Sequence, residues 1–170
     1  MDVEEAIRSR RTHKVYAADP VGRDELDELL ELAAWAPNHN LTNPWRFRVV
    51  GPRALEALKE AAGPESASKL DRAPTLVVAS QVRDEADPVQ DEEDLCAAAT
   101  AVYIVLLAAH NRGLGGYWRT PEVLRSPEGR DAVDVRPDER VLGLIHLGYP
   151  RQEKRPPERA PSDDYVTYLG

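Results

Sequence analysis

From Asp91 to Arg112 the chain carries one long helical pattern with almost no face for water. Asp91, Glu92, Glu93 and Asp94 place acid in its first turns, where the helix dipole favours negative charge, and they read as a solvated helix start. After them, Leu95 to Ala109 is nearly all apolar. A helix that is apolar all round has to be buried on every side. Either this chain wraps it completely as a central helix, or a second subunit covers part of it. With only 170 residues to do the wrapping, the second arrangement is expected. The most apolar run, Ala97 to Ala109, is too short to span a bilayer, and Thr100 and Tyr103 interrupt it.

The other elements fall on either side of this helix. Val3, Ala6 and Ile7 mark a short helix over 2–9. Pro20 breaks a linker from Tyr16 to Val21, and Leu26, Leu29, Leu30, Ala33 and Ala34 give a second helix over 22–36, stopped by Pro37. The loop 36–45 packs amide and hydroxyl groups between Trp35 and Trp45. Strands are expected at Trp45–Gly51, Pro74–Ser80 and Arg140–Gly148, with a helix at 52–62 and an irregular polar stretch at 63–72. Gly113, Gly115 and Gly116 read as a helix-ending cluster, and short helices are expected near Pro121 and Pro127. Beyond Pro150 the Pro-rich tail reads as extended, ending in a strand-like Val166-Thr167-Tyr168-Leu169 that would lie on another surface, such as a partner's sheet. There is no internal repeat, and 1–170 reads as one domain.

Against a formal net charge of -8, the segment from Arg8 to Lys14 is out of keeping: Arg8, Arg10, Arg11, His13 and Lys14 fall within it. Such a knot suits a doubly charged anion, because guanidinium groups form bidentate hydrogen bonds to phosphate oxygens and Thr12 adds a hydroxyl. It also suits a solvated basic helix end placed after Asp2, Glu4 and Glu5. The acidic balance argues against nucleic acid as partner. The single Cys96 and the acidic N-terminus without an apolar leader fit a reducing, cytoplasmic setting.

Familiar catalytic signatures are missing. Gly113-Leu114-Gly115-Gly116 follows a helix and lacks the strand–turn–helix order of a dinucleotide fingerprint. No Walker sequence occurs, the four His lack metal spacing, and no Ser sits in a nucleophile-elbow setting. Tyr103 and His110 read as core positions on the long helix. With no catalytic side chain and no metal set, any enzymatic chemistry would have to come from a cofactor.

Three separated segments share one resemblance: Arg10-Arg11-Thr12; the loop from Ala36 to Phe47; and Gly115 to Thr120 together with Leu147-Gly148-Tyr149-Pro150. In order and over essentially the whole chain they resemble the nitroreductase family of FMN enzymes, and most closely its short bacterial NAD(P)H-dependent members. The resemblance implies an α+β fold, a central mostly antiparallel sheet flanked by helices, in an intertwined homodimer with exchanged C-terminal arms and FMN at the interface. It implies that Arg10, Arg11 and Thr12 hold the phosphate and the polar edge of the flavin. Trp35 and His39 would contact it, Trp118, Arg119 and Thr120 would line the ring side, and a tail cation, Arg159 before Lys154, would add to the phosphate site. NAD(P)H would be the hydride donor and a small nitroaromatic, quinone or similar molecule the acceptor, in a ping-pong order. Dehalogenation, flavin breakdown, dehydrogenation or non-catalytic flavin binding on the same scaffold stay open. Two departures stand out: Thr12 replaces the usual Ser, and Asn43 replaces the usual Gln, one methylene longer, before Pro44-Trp45. The chain is also shorter than the larger members, which implies an open pocket.

Overall fold

A computed structural model describes residues 1–170. Four strands make one antiparallel sheet in the order β1-β2-β4-β3: β1 is Trp45–Val49, β2 Thr75–Val82, β3 Gly115–Arg119 and β4 Glu139–Gly148. Helices cover both faces. On one lie α5 (Pro88–Asn111) and α2 (Arg23–Leu32), and α1 (Val3–Ser9) packs on α5. On the other lie α3 (Pro52–Ala62), the single turn α4 (Pro64–Ala67) and α6 (Pro127–Asp131). The core is correspondingly double. Leu26, Leu29, Ala98, Val102, Leu106, Ile145 and Leu147 fill the α5 side, and Leu58, Leu70, Leu76, Val78, Leu124 and Leu144 fill the other. Alternate residues of β2 and β4 feed the two layers, as the two-residue period of a strand requires.

The long helix begins three residues earlier than its acid run suggests. Asp87 caps it, accepting from the amides of Val89 and Gln90, and Pro88 occupies the first turn, where its missing N–H costs nothing. At 24 residues the whole helix is long and apolar enough, by length and composition, to cross a bilayer, which the run from Ala97 to Ala109 alone is not. What makes it a core helix is its packing on β2, β3 and α2. Nor is its start simply solvated. Asp91 and Asp94 are buried. Asp91 receives Gln81 and Arg140, and Asp94 receives Thr42 and Gln90. The dipole argument gave the acids a reason to be exposed, but partners distant in sequence give two of them a reason to be inside. Burial works against the charge of Asp91. The Asp84 amide and the Arg140 and Arg83 guanidiniums outweigh it and hold the carboxyl below its usual range.

The glycine cluster divides in two. Gly113, at φ 78°, ends α5, and the Leu114 amide reaches back to the Ala109 carbonyl. Gly115 and Gly116 instead open β3, a strand the sequence pattern hid, because this segment must accept close neighbours: a Cβ on Gly115 would stand 2.9 Å from the Cβ of His13. Residues 63–72, expected to be irregular, include α4 and further turns. The short helix expected near Pro121 is a 3-10 turn over Glu122–Arg125. From Arg151 on, every residue is exposed, and 166–169 forms no strand within the protomer.

Candidate functional site

The basic knot is built where α1 stops. Asp2 caps α1 and Arg10 closes it, with the Arg10 amide bonded to the Ala6 carbonyl. The chain then runs beside the edge strand: Thr12 bridges to Gly116 in parallel sense, and the His13 amide donates to the Gly116 carbonyl. Lys14 comes to lie over the Tyr117 ring, 5.4 Å from its centroid. The sheet edge thus sets Arg10, Arg11, Thr12 and Lys14 alongside Gly115–Trp118, so two of the three sequence segments meet within one protomer.

Their charges are unspent. Arg10, Arg11 and Lys14 form no ion pair, although the chain holds 30 acidic residues and Arg8 is bridged to Glu4. The Arg11 guanidinium donates only to the carbonyls of Arg10 and Arg8. Arg10 lies over the Tyr103 ring at 5.8 Å. The Nε atoms of both arginines are buried without a partner. Orphaned donors of this kind call for an acceptor from outside the chain. A phosphate fits them in charge and in chemistry.

A cleft of about 590 Å³ opens here, lined by Arg11, His13, His110, Arg151 and Lys154 among others. His110 is half-buried and bonded to Ser9 at 2.7 Å, and Tyr103 is exposed, so neither is the core residue the sequence suggested. Burial first, then the Arg10 and Arg11 charges, push the His110 pKa down. Burial, then Lys154 and His110, does the same at His13. Lys154 therefore sits with the knot, while Arg159 lies exposed on the tail.

At the far end of β3, Trp118 is half-buried and its indole N–H donates to the Leu142 carbonyl at 3.0 Å. Leu142 is the extra residue of a bulge in β4, beside Gly143 at φ 144°. A Cβ on Gly143 would stand 2.4 Å from the Arg119 carbonyl oxygen and 2.8 Å from Trp118 Nε1. Only glycine lets the two strands close here. Arg119 makes no ion pair and lines a cleft of about 360 Å³ on the α3 side with Leu70 and Ser126, and Thr120 is exposed beyond it.

The amide-rich loop lies elsewhere. Asn40, Leu41 and Asn43 all take the left-handed backbone conformation (φ 55°, 52° and 47°), strained for Leu41 in particular. Its amides mostly hold the loop itself: Asn38 accepts from the Asn43 amide, and the Asn43 side chain donates to the Leu41 carbonyl. Three bonds pin it to the first turns of α5, His39 to Glu93 at 2.5 Å, Thr42 to Asp94 at 2.6 Å and Asn40 to Gln90 at 3.3 Å. Gln90, Glu93 and Asp94 are thus supporting residues missed in the sequence. Their i, i+3, i+4 spacing on one helix face was the available signal. Trp35 stands 80% exposed beside this loop.

Trp35 and His39 therefore do not meet the basic knot within one protomer. Glu93 holds the loop and Tyr103 underlies Arg10; at 1.5 Å per residue they are about 15 Å apart along α5. Between them runs an open stripe that includes Cys96, Thr100 and Tyr103, continued on α1 by exposed Val3 and Ile7.

The family model described as "Nitroreductase family" matches residues 7–149. The Bacillus subtilis protein YfhC, named provisionally as an NAD(P)H nitroreductase, is 26% identical over 98% of this chain and 94% of its own. The Escherichia coli K12 protein YdjA, named in the same way, is 28% identical over 99% of this chain and 100% of its own. Among solved structures, a nitroreductase-like family protein from Bacillus cereus superposes with a TM-score of 0.89 at 23% identity, covering 99% of this chain and 96% of that one. A Desulfovibrio desulfuricans protein solved in complex with FMN gives a TM-score of 0.81 at 26% identity, covering 100% and 98%.

Proposed function

The chain belongs to the nitroreductase family, a family of oxidoreductases, and from that membership we propose that it is an FMN-dependent enzyme passing hydride from NAD(P)H to a small electron acceptor. Nitroaromatics and quinones are the acceptor class this open fold suits. The observation that carries the reading is the set of unpaired guanidiniums at the end of α1, with two buried Nε donors lacking partners, in a chain of net charge -8.

In this reading Arg10, Arg11 and Thr12 hold the phosphate and the polar edge of FMN, joined by Lys154 or Arg159 from the tail. The β3 end at Trp118, Arg119 and Thr120 lines the ring side. Its backbone is fixed there by the indole bond to Leu142 and by the bare Cα of Gly143. Trp35 and His39 complete the pocket from a second protomer. The open α5 stripe and the exposed Val3, Ile7 and Trp35 are the apolar surface a homodimer would cover. The tail beyond Pro150 would cross onto the partner as an exchanged arm. FMN, when bound, supplies the two-electron chemistry that no side chain here can provide. The chain's own part is to neutralise the phosphate, to place cationic groups where reduction adds negative charge, and to leave one pocket that donor and acceptor enter in turn, the ping-pong order. A cytoplasmic setting, where NAD(P)H is at hand, completes the proposal.

The test is the absorption spectrum of the purified protein under anaerobic conditions. A flavin band bleached by NADH or NADPH and restored by a quinone supports the reading. A colourless protein that takes up no FMN overturns it.

A further inference from the structure

We propose that His110, with His13 beside it, is a proton-accepting member of the phosphate site, so that capture of a phosphate dianion draws a proton from solvent onto the imidazole. The inference rests on the FMN reading above and adds a residue and a linkage to it. His110 lines the cleft from the last turn of α5, together with Arg11 at the end of α1 and with His13, Arg151 and Lys154.

Hydrogen bonding fixes the tautomer. The single hydroxyl proton of Ser9 goes to the Glu5 carbonyl at 2.6 Å, so its oxygen can only accept from His110. Nε2 therefore carries the proton, and Nδ1 is the basic nitrogen. The charged groups around the ring are few. From α1 and its end come Arg10, Arg11 and the opposing Glu5. The segment after β4 adds Arg151, Lys154 and the opposing Glu153. On α5 itself, Arg112 is turned away to Glu28 at 2.8 Å. Without an anion, partial burial and then the neighbouring positive charges (Arg10 and Arg11 at His110, Lys154 at His13) favour the neutral form of both rings. A dianion seated among the same groups offsets their positive charge and can accept from a ring N–H, and both effects favour the charged imidazole. The chemistry recognised is a phosphate monoester or free phosphate, and the two are separated by the probes below.

Isothermal titration of the flavin-free protein at pH 7.5, in two buffers of different ionisation enthalpy, measures the proton count directly. FMN, whose phosphate monoester is essentially all dianion at this pH, should bind with net proton uptake and riboflavin with none, and inorganic phosphate should compete with FMN. In His110→Gln the uptake with FMN should fall sharply, and affinity should drop roughly tenfold, the scale of one charged hydrogen bond. His13→Gln should remove a smaller share. Imidazole resonances of the unaltered protein give a second readout: the His110 titration should move to higher pH when FMN is added. FMN binding with the same uptake in both variants, or no movement of the His110 titration, would overturn the proposal while leaving the flavin reading intact. Failure of FMN to bind at all would overturn both, and binding of inorganic phosphate without binding of FMN would leave an inorganic anion site in place of the flavin one.

Discussion

Replacing His146 by Leu should stabilise the protein, and more so in acid. His146 lies in β4 with no exposed surface, its ring 5.5 Å from that of Tyr117, and neither ring nitrogen has a partner. Burial, with lesser contributions from the Arg119 and Arg72 charges, lowers its pKa from 6.5 to about 4. The unfolded chain therefore binds a proton over this range that the folded chain refuses. The stability contribution of the neutral ring is complete above pH 6.5 and is lost as pH falls from 6.5 toward 4, in total about 3 kcal/mol at 1.36 kcal/mol per unit. At pH 5 the loss should already be about 2 kcal/mol. At pH 7.5 the proton no longer matters, and Leu still gains because two unpartnered nitrogens leave the core, an effect of roughly 1–3 kcal/mol. Urea unfolding of both proteins at pH 5 and 7.5 isolates the linkage as a double difference, in which the other titrating groups cancel. A variant whose advantage is the same at both pH values would refute the argument, because it would mean that water or a local opening lets His146 titrate normally.

The remaining expectations follow from the same kind of accounting. Arg10→Ala should weaken FMN binding roughly 10- to 100-fold and leave riboflavin binding nearly unchanged, as fluorescence titration would show. Glu139→Gln should cost about 3 kcal/mol in chemical unfolding, because the buried carboxylate takes Arg48 at 2.7 and 2.8 Å and its loss strands that largely buried guanidinium, whereas Arg136 keeps Asp138. Its carboxyl, disfavoured by burial but held ionised chiefly by Arg48 and Ser80, sits below the usual range, so this contribution is present near neutrality and lost in acid as the folded group protonates. Gly143→Ala should cost about 2 kcal/mol or more and shift the Trp fluorescence, since the new methyl would meet the Arg119 carbonyl and the Trp118 indole. Tyr103→Glu, at the middle of the open α5 stripe, should turn a sedimenting dimer into a monomer.

Much of the architecture was legible because period carries it. Leu26 and Leu29 of α2, and the continuous run from Leu76 to Ala79 of β2, behave as their spacing requires. What escaped was set by contacts distant in sequence. The burial of Asp91 and Asp94 depends on Arg140, Gln81 and Thr42, none of which a helix-local argument sees. The start of β3 was masked because a glycine can end a helix or admit a close neighbour, and only the position of His13 and Leu106 distinguishes the two. The basic knot was visible as a charge anomaly, and the structure adds that it is unpaired. The pinning of the Asn-rich loop by Gln90, Glu93 and Asp94 was hidden because those residues already had a sufficient local reason to be there.

Complementation between two altered chains tests the shared site most directly. Arg10→Ala and His39→Ala protomers, each weak in FMN retention alone, are unfolded together and refolded as a mixture. If each flavin draws its phosphate cations from one protomer and its Asn-rich loop from the other, mixed dimers regain one intact pocket and the mixture retains FMN that neither parent holds. Retention in the mixture no greater than the average of the two parents would contradict the account.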